Sequence, residues 1–305
     1  PVMDKYGSDA LRMGLLAGRS PGVNRGYDSR KVEEARNFCN KLWNISRYTL
    51  ERLGELTEEP NHEPKTDAEH WVLSKLQHTT EVMSEHLEAY RFSEAYDTLY
   101  HFVWDDVADW YIEASKTTEG GGVLAYVLEN VLKLAHPFAP FVTETIWQVV
   151  PWTGTSILAI QDWPKTFKTN KKAAADFEEI QTIVTEVRAL IRSLGLRKPH
   201  LYYTDVPFLS TNAELICRLT GLDGVREVTH GNGLHLTSTA HSCWLDVDSE
   251  IAAAHLEQLG AQISAASARI AHLHGRLNNE NYTKHAPKEV VRETEAQLSE
   301  AETTL

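Results

Sequence analysis

The chain has 305 residues, enough for about two domains at roughly 150 residues each. Apolar residues make up 42% and charged ones 24%, a balance that supports packed cores. No apolar run reaches the roughly 18 to 20 residues of a membrane helix, and three cysteines (Cys39, Cys217, Cys243) exclude a disulfide framework and a four-cysteine zinc site. Their low count suits a reducing, cytoplasmic setting. The chain opens at Pro1 without a signal-peptide pattern and reads as part of something longer.

A net charge of −13 argues against a nucleic-acid binder, yet its distribution argues for one. Residues 1–53 carry ten Lys/Arg against six Asp/Glu, a net of +4 that leaves −17 for the remainder. A second cluster, Lys165, Lys168, Lys171, Lys172, Arg188, Arg192, Arg197 and Lys198, surrounds an expected helix. A polyanion fits these surfaces while the acidic remainder keeps the chain soluble. Chance clustering on solvated helices is the competing explanation.

In chain order, residues 8–17 read as a short helix ended by Gly18 and the turn Ser20-Pro21-Gly22. From Ser29 to about Leu53, Val32, Ala35, Cys39, Leu42, Ile45, Thr49 and Leu53 recur every three or four residues, one buried stripe. The opposite stripe holds Arg36, Asn37, Asn40, Lys41, Asn44, Arg47 and Glu51. Asp67 caps a helix to about Leu87, and Ser93 starts another to about Lys116. Gly120–Gly122 turns into a helix ending at His136-Pro137, and one more runs from Thr143 through Val150. Short loops between these helices predict an antiparallel bundle.

Residues 151–170 form a connector. A helix near 173–195 follows, then strands at Leu201–Val206, Val225–Thr229, Leu234–Thr237 and Cys243–Val247, with a short helix at Asn212–Leu219. These make a small α/β module. Next, Leu256, Leu259, Ile263, Ala266, Ile270, Leu273 and Leu277 form a heptad seam, which Val291, Thr294, Leu298, Ala301 and Leu305 repeat. An antiparallel hairpin turning near residue 282 would set 273 against 291, 270 against 294, 266 against 298, 263 against 301 and 259 against 305.

The cation and amide stripe of residues 36–47 suits single-stranded RNA, whose splayed bases accept hydrogen bonds and stacking; a solvated helix face is the plainer reading. Trp43, Trp104, Trp110 and Trp147 are candidate stacking platforms. Of these, Trp104 and Trp147 read as core, while Trp43 and Trp110 stay open. His272 and His274 are two apart on a helix and cannot chelate one metal together, so the arm histidines read as surface groups. Asp105, Asp106 and Asp109 lack a companion nucleophile and read as an acidic helix face rather than a catalytic set.

Several motifs carry a family resemblance. Lys5-Tyr6-Gly7-Ser8-Asp9-Ala10-Leu11-Arg12 is similar to the helix following the KMSKS loop of class I aminoacyl-tRNA synthetases. Arg36-Asn37-Phe38-Cys39-Asn40-Lys41-Leu42-Trp43-Asn44 resembles the first anticodon-domain helix of the valyl, isoleucyl and leucyl subgroup. Tyr90–Ala95, Phe102–Trp104 with Asp109–Tyr111, and His136–Glu144 with Ile146-Trp147 extend the match. Leu277–Tyr282 and Ala286–Val291 resemble the C-terminal coiled-coil arm of bacterial valyl-tRNA synthetases. No HIGH-like or KMSKS sequence and no editing domain is found.

The resemblance implies a mainly α chain. Its parts would be the tail of the stem-contact region (1–28), an anticodon-binding helix bundle (29–150), a connector with a small α/β module (151–248) and a coiled-coil tRNA-binding arm (249–305). It implies that the parent enzyme joins valine to tRNA(Val) with ATP and Mg2+ through valyl-adenylate. The part present would bind tRNA without catalysis and without a cofactor or metal of its own. Arg36, Asn37, Asn40, Lys41, Trp43, Asn44 and Arg47 would meet the anticodon loop. Arg269, Arg276, Lys284, Lys288 and Arg292 would meet the tRNA elbow. The expected particle is a cytoplasmic monomer binding neither DNA nor membrane, with self-association through the coiled coil as a variant. The alternatives are the same region of an isoleucyl or leucyl enzyme, and a helical scaffold for protein partners.

Overall fold

A computed structural model describes residues 2–18, 26–54, 59–165, 169–279, 282 and 285–304. The chain is mainly helical and divides into two compact units, Pro1–Val184 with Thr211–Leu219, and Thr185–Ser210 with Thr220–Leu305.

The first unit is a helix bundle. Its elements are α1 (Val2–Tyr6), α2 (Ser8–Leu16), α3 (Ser29–Gly54), α4 (Asp67–Glu88), α5 (Phe92–His101), α6 (Ile112–Ser115), α7 (Gly122–Ala135) and α8 (Pro140–Trp147). α3 buries Val32, Ala35, Phe38, Leu42, Ile45 and Thr49; of the expected stripe, Cys39 and Leu53 are only half-buried, and Phe38 turns inward beside Cys39. α7 is apolar almost all round and buries Val123, Leu124, Val127, Leu128, Val131, Leu132 and Leu134, which makes it the central helix. Gly14 lets α2 lie directly on α3, since a Cβ there would sit 2.7 Å from the Val32 backbone.

α4 is capped by Thr66 rather than Asp67. The Thr66 hydroxyl accepts from the Glu69 amide while the Glu69 carboxylate accepts from the Thr66 amide, a capping box. The helix expected over 93–116 forms, but with an interruption: between α5 and α6, residues Phe102–Tyr111 are π-helical. The amide of Ile112 donates to Val107, five residues back.

The bundle extends past residue 150. α9 (Lys171–Leu194) sends its N-terminal half into the first unit, where Phe177 packs on Trp71 with ring centroids 4.9 Å apart. Lys75 pairs with Glu178 at 2.9 Å, and the Trp163 indole donates to Ser84. The compact unit therefore divides at Val184, although the sequence changes character near 150.

The second unit holds a four-stranded mixed sheet, order β2-β1-β4-β3. Its strands are β1 (His200–Tyr203), β2 (Gly224–Glu227), β3 (Leu234–His235) and β4 (Cys243–Leu245). β1 runs parallel to β2 and antiparallel to β4. The connection from β1 to β2 carries α10 (Pro207–Thr211) and α11 (Ala213–Thr220), and its stretch Thr211–Leu219 belongs to the first unit. The unit ends in α12 (Ser249–Leu277) and α13 (Lys288–Thr304), which pack on each other as a hairpin.

The hairpin register differs from the expected one. Tyr282 meets Thr294 (Oη to Oγ1, 2.7 Å) and His274 meets Glu302 (3.1 Å), so each return residue faces a partner twelve positions later than expected. Tyr282 and His285 are themselves helical, and the Ala286 amide donates to the Tyr282 carbonyl. The reversal lies between the end of α12 at Leu277 and the start of α13 at Lys288. Leu273, Thr294 and Ala301 are buried, whereas Leu256 and Ile263 of the expected seam are 58% and 57% exposed.

Candidate nucleic-acid interface

α3 offers the outward face that the sequence anticipates. Arg36, Asn37, Asn40, Trp43, Asn44 and Arg47 are all exposed. At about 100° per residue, Arg36, Asn40, Trp43 and Arg47 form one stripe beside Asn37, Lys41 and Asn44. Among the described residues Arg36 has no ion pair, and Arg47 has only a loose one with Glu51 at 3.9 Å. Both guanidiniums therefore remain available to an anion.

Trp43, 46% exposed, stands between two hollows. One, of about 370 Å³, is walled by Leu50, Ile146 and Val149 with Arg47 and Glu51 at its edge. The other, of about 350 Å³, is walled by Tyr6, Cys39, Phe141 and Thr145. Each is large enough for a planar ring against the indole, and Arg47 stands at the first.

Two distant motifs are locked together beneath this face. The Asp9 carboxylate accepts from the amides of Phe141 (3.3 Å) and Val142 (2.7 Å), capping the start of α8. Arg12 donates to the carbonyls of Pro137 and Phe138 in the turn between α7 and α8. The first tract and the His136–Glu144 tract thus form one joint.

Lys41 is placed differently from its neighbours. Its side chain is 27% exposed, its ammonium lies 3.1 Å from the Asp109 carboxylate, and it sits 4.6 Å from the Trp104 ring centroid. Trp104 is half-buried and stacks on Tyr100, which stacks in turn on Phe38. Periodicity of 3.6 could not reveal this pairing, because Trp104 and Asp109 reach Lys41 through a π-helical stretch. Trp147 is core as expected, at 3% exposure.

The three acidic residues do not form a set. Asp105 pairs with His101 at 2.8 Å and Asp109 with Lys41. Burial pushes the Asp106 carboxyl up to about 6, and nearby Lys75 only partly opposes this. Among the described residues no group of three or more His, Cys, Asp or Glu is placed to hold a metal ion.

On the arm, Arg269, Lys288 and Arg292 are exposed. Arg276 is committed to the hairpin: it donates to the Tyr282 hydroxyl at 2.9 Å and lies over that ring. Lys284 lies outside the described residues, as does Lys168 of the second basic cluster. That cluster is split between the two units. In the second, Arg188, Arg192, Arg197 and Lys198 are exposed, and the last two line a hollow of about 780 Å³. Asp246 and Asp248 share that hollow, but Asp246 turns to Tyr202 and Asp248 caps α12.

Known families match both units. Residues 69–200 match the anticodon-binding domain of tRNA ligase, and residues 246–305 match the valyl tRNA synthetase tRNA binding arm. Valine–tRNA ligase of Streptomyces avermitilis is 34% identical over 320 aligned residues, covering 98% of this chain and 36% of its own length. The Geobacillus kaustophilus and Geobacillus stearothermophilus enzymes are 42% and 43% identical over 62% of the chain and 23% of theirs. A solved structure, the ternary complex of Agrobacterium radiobacter K84 agnB2 LeuRS-tRNA-LeuAMS, has a loose likeness at TM-score 0.46 and 16% identity over 67% of this chain and 22% of that one. The chain spans about a quarter to just over a third of the curated relatives it matches. No helix among the described residues is long and apolar enough to cross a membrane. With an anticodon-binding domain and a tRNA-binding arm joined in one sequence, the chain belongs to the valine–tRNA ligase family.

Proposed function

We propose that this chain is the tRNA-docking part of a valine–tRNA ligase, with the outward face of α3 contacting the anticodon loop and the hairpin arm contacting the elbow of tRNA(Val). The whole enzyme would join valine to that tRNA with ATP and Mg2+ through valyl-adenylate, as a cytoplasmic monomer. The single observation carrying the reading is the exposed stripe Arg36, Asn40, Trp43 and Arg47, flanked by two ring-sized hollows. Cations there neutralise phosphates, amides reach base edges, and the indole offers a stacking surface. Bases of a loop are unpaired and can enter such hollows, whereas bases stacked in a duplex cannot.

Binding of a tRNA(Val) transcript and of an unrelated tRNA is measured across a salt series. The expected result is preference for tRNA(Val) with strong salt dependence. Changing Arg36 and Arg47 together to Ala should weaken binding and flatten the slope of log K on log salt by about 1.4, at roughly 0.7 per lost single-strand phosphate contact. An unchanged affinity and slope would remove α3 from the interface.

A further inference from the structure

The helix from α5 to α6 changes its winding at one place, and that place faces α3. In an α-helix, residues five apart point roughly 140° away from each other. Where hydrogen bonds close at five residues, such residues come nearly into line. Trp104 and Asp109 are five apart inside the π-helical stretch Phe102–Tyr111, and both reach the Lys41 ammonium, at 4.6 Å and 3.1 Å. Below Trp104 the column continues through Tyr100 to Phe38, which lies on α3 one turn before Lys41. The lysine is thus held from two sides by one helix and braced from its own.

We propose that Asp109 and Trp104 are positioning residues that hold Lys41 as an oriented hydrogen-bond donor to a base edge, rather than leaving it a free cation for phosphates. The proposal rests on the RNA-binding reading of α3 above. A lysine on a solvated helix sweeps many rotamers, and ordering it on binding costs entropy. Here the carboxylate fixes the ammonium and offsets its charge, while the indole face fixes the chain below it. Among the described residues Arg36 has no ion pair and Arg47 only the loose, exposed one with Glu51, so both keep charge for phosphates. A neutralised, fixed donor contributes direction and base preference; a free cation contributes counterion release.

The test uses the full 305-residue chain and a tRNA(Val) transcript, with affinity read by anisotropy over a salt series. Lys41→Ala should weaken binding about tenfold while leaving the salt slope unchanged, the range expected for a base contact. Asp109→Asn should lose several-fold with the slope again unmoved, Asp109→Glu should recover most of it, and Asp109→Asn should add nothing to Lys41→Ala. Asp109 is 54% exposed on its side chain, and matching thermal midpoints check that these variants fold. Tighter binding and a steeper slope for Asp109→Asn would overturn the proposal, because the carboxylate would then only mask a phosphate contact. Unchanged binding for Asp109→Asn beside a weakened Lys41→Ala would overturn it equally. Should Lys41→Ala be silent while the Arg36/Arg47 double variant weakens binding, the proposal falls and the α3 reading stands. Silence of all three variants defeats the reading itself.

Discussion

Asp106 shows how one residue of the π-helical stretch sets a pH dependence. Burial raises its carboxyl to about 6, above the roughly 3.9 of an unfolded aspartate. The folded chain therefore binds this proton more tightly than the unfolded chain does. The resulting stabilisation is fully present below about pH 4 and is lost as pH rises through 6. Asp106→Asn should raise the thermal midpoint at pH 7.5 and change it little at pH 4, and equal shifts at both pH values would contradict this account. Side-chain identity alone could not distinguish Asp105, Asp106 and Asp109, which look alike as an acidic face. Two of the fates follow from neighbours on other helices, burial beside Lys75 for Asp106 and Lys41 for Asp109, while Asp105 pairs with His101 one turn earlier on its own helix. The face of α3 was legible because exposed polar positions and buried apolar ones both recur with the helix period, as Arg36, Asn40 and Arg47 do against Val32, Ala35 and Leu42.

At the scale of elements, helix termini join distant parts of the chain. Asp9 caps α8 across about 130 residues of sequence, satisfying two backbone amides and facing the positive end of the helix. Asp9→Ala should cost about 1–2 kcal/mol, measured by urea denaturation, with Asp9→Asn costing less. A loss under a few tenths would mean that water replaces the carboxylate. The sequence makes both tracts visible as motifs, yet nothing in either announces the other. The arm teaches the same lesson. Its repeat of three and four identifies two helices that pack, but such a repeat fits several slides of one strand on another. Polar contacts choose among them: Tyr282 with Thr294 and Arg276, and His274 with Glu302. Those long-range partners have no periodic signature.

Across the whole molecule, net negative charge coexists with two cationic stretches, and a large folded RNA has room to use both. Changing Arg269, Lys288 and Arg292 together to Ala should weaken binding of intact tRNA(Val) several-fold while leaving an isolated anticodon stem-loop unaffected. Equal losses for both RNAs would mean that the arm does not meet the elbow. Variation in length should be tolerated very unevenly along this polypeptide. Surface connections absorb an added or missing residue at little cost. Between Phe102 and Tyr111 the winding itself does the aligning, so deleting a single residue there would restore ordinary pitch while swinging Asp109 off the lysine it faces. Relatives that keep the lysine but lose one position in that stretch must steady it by some other group.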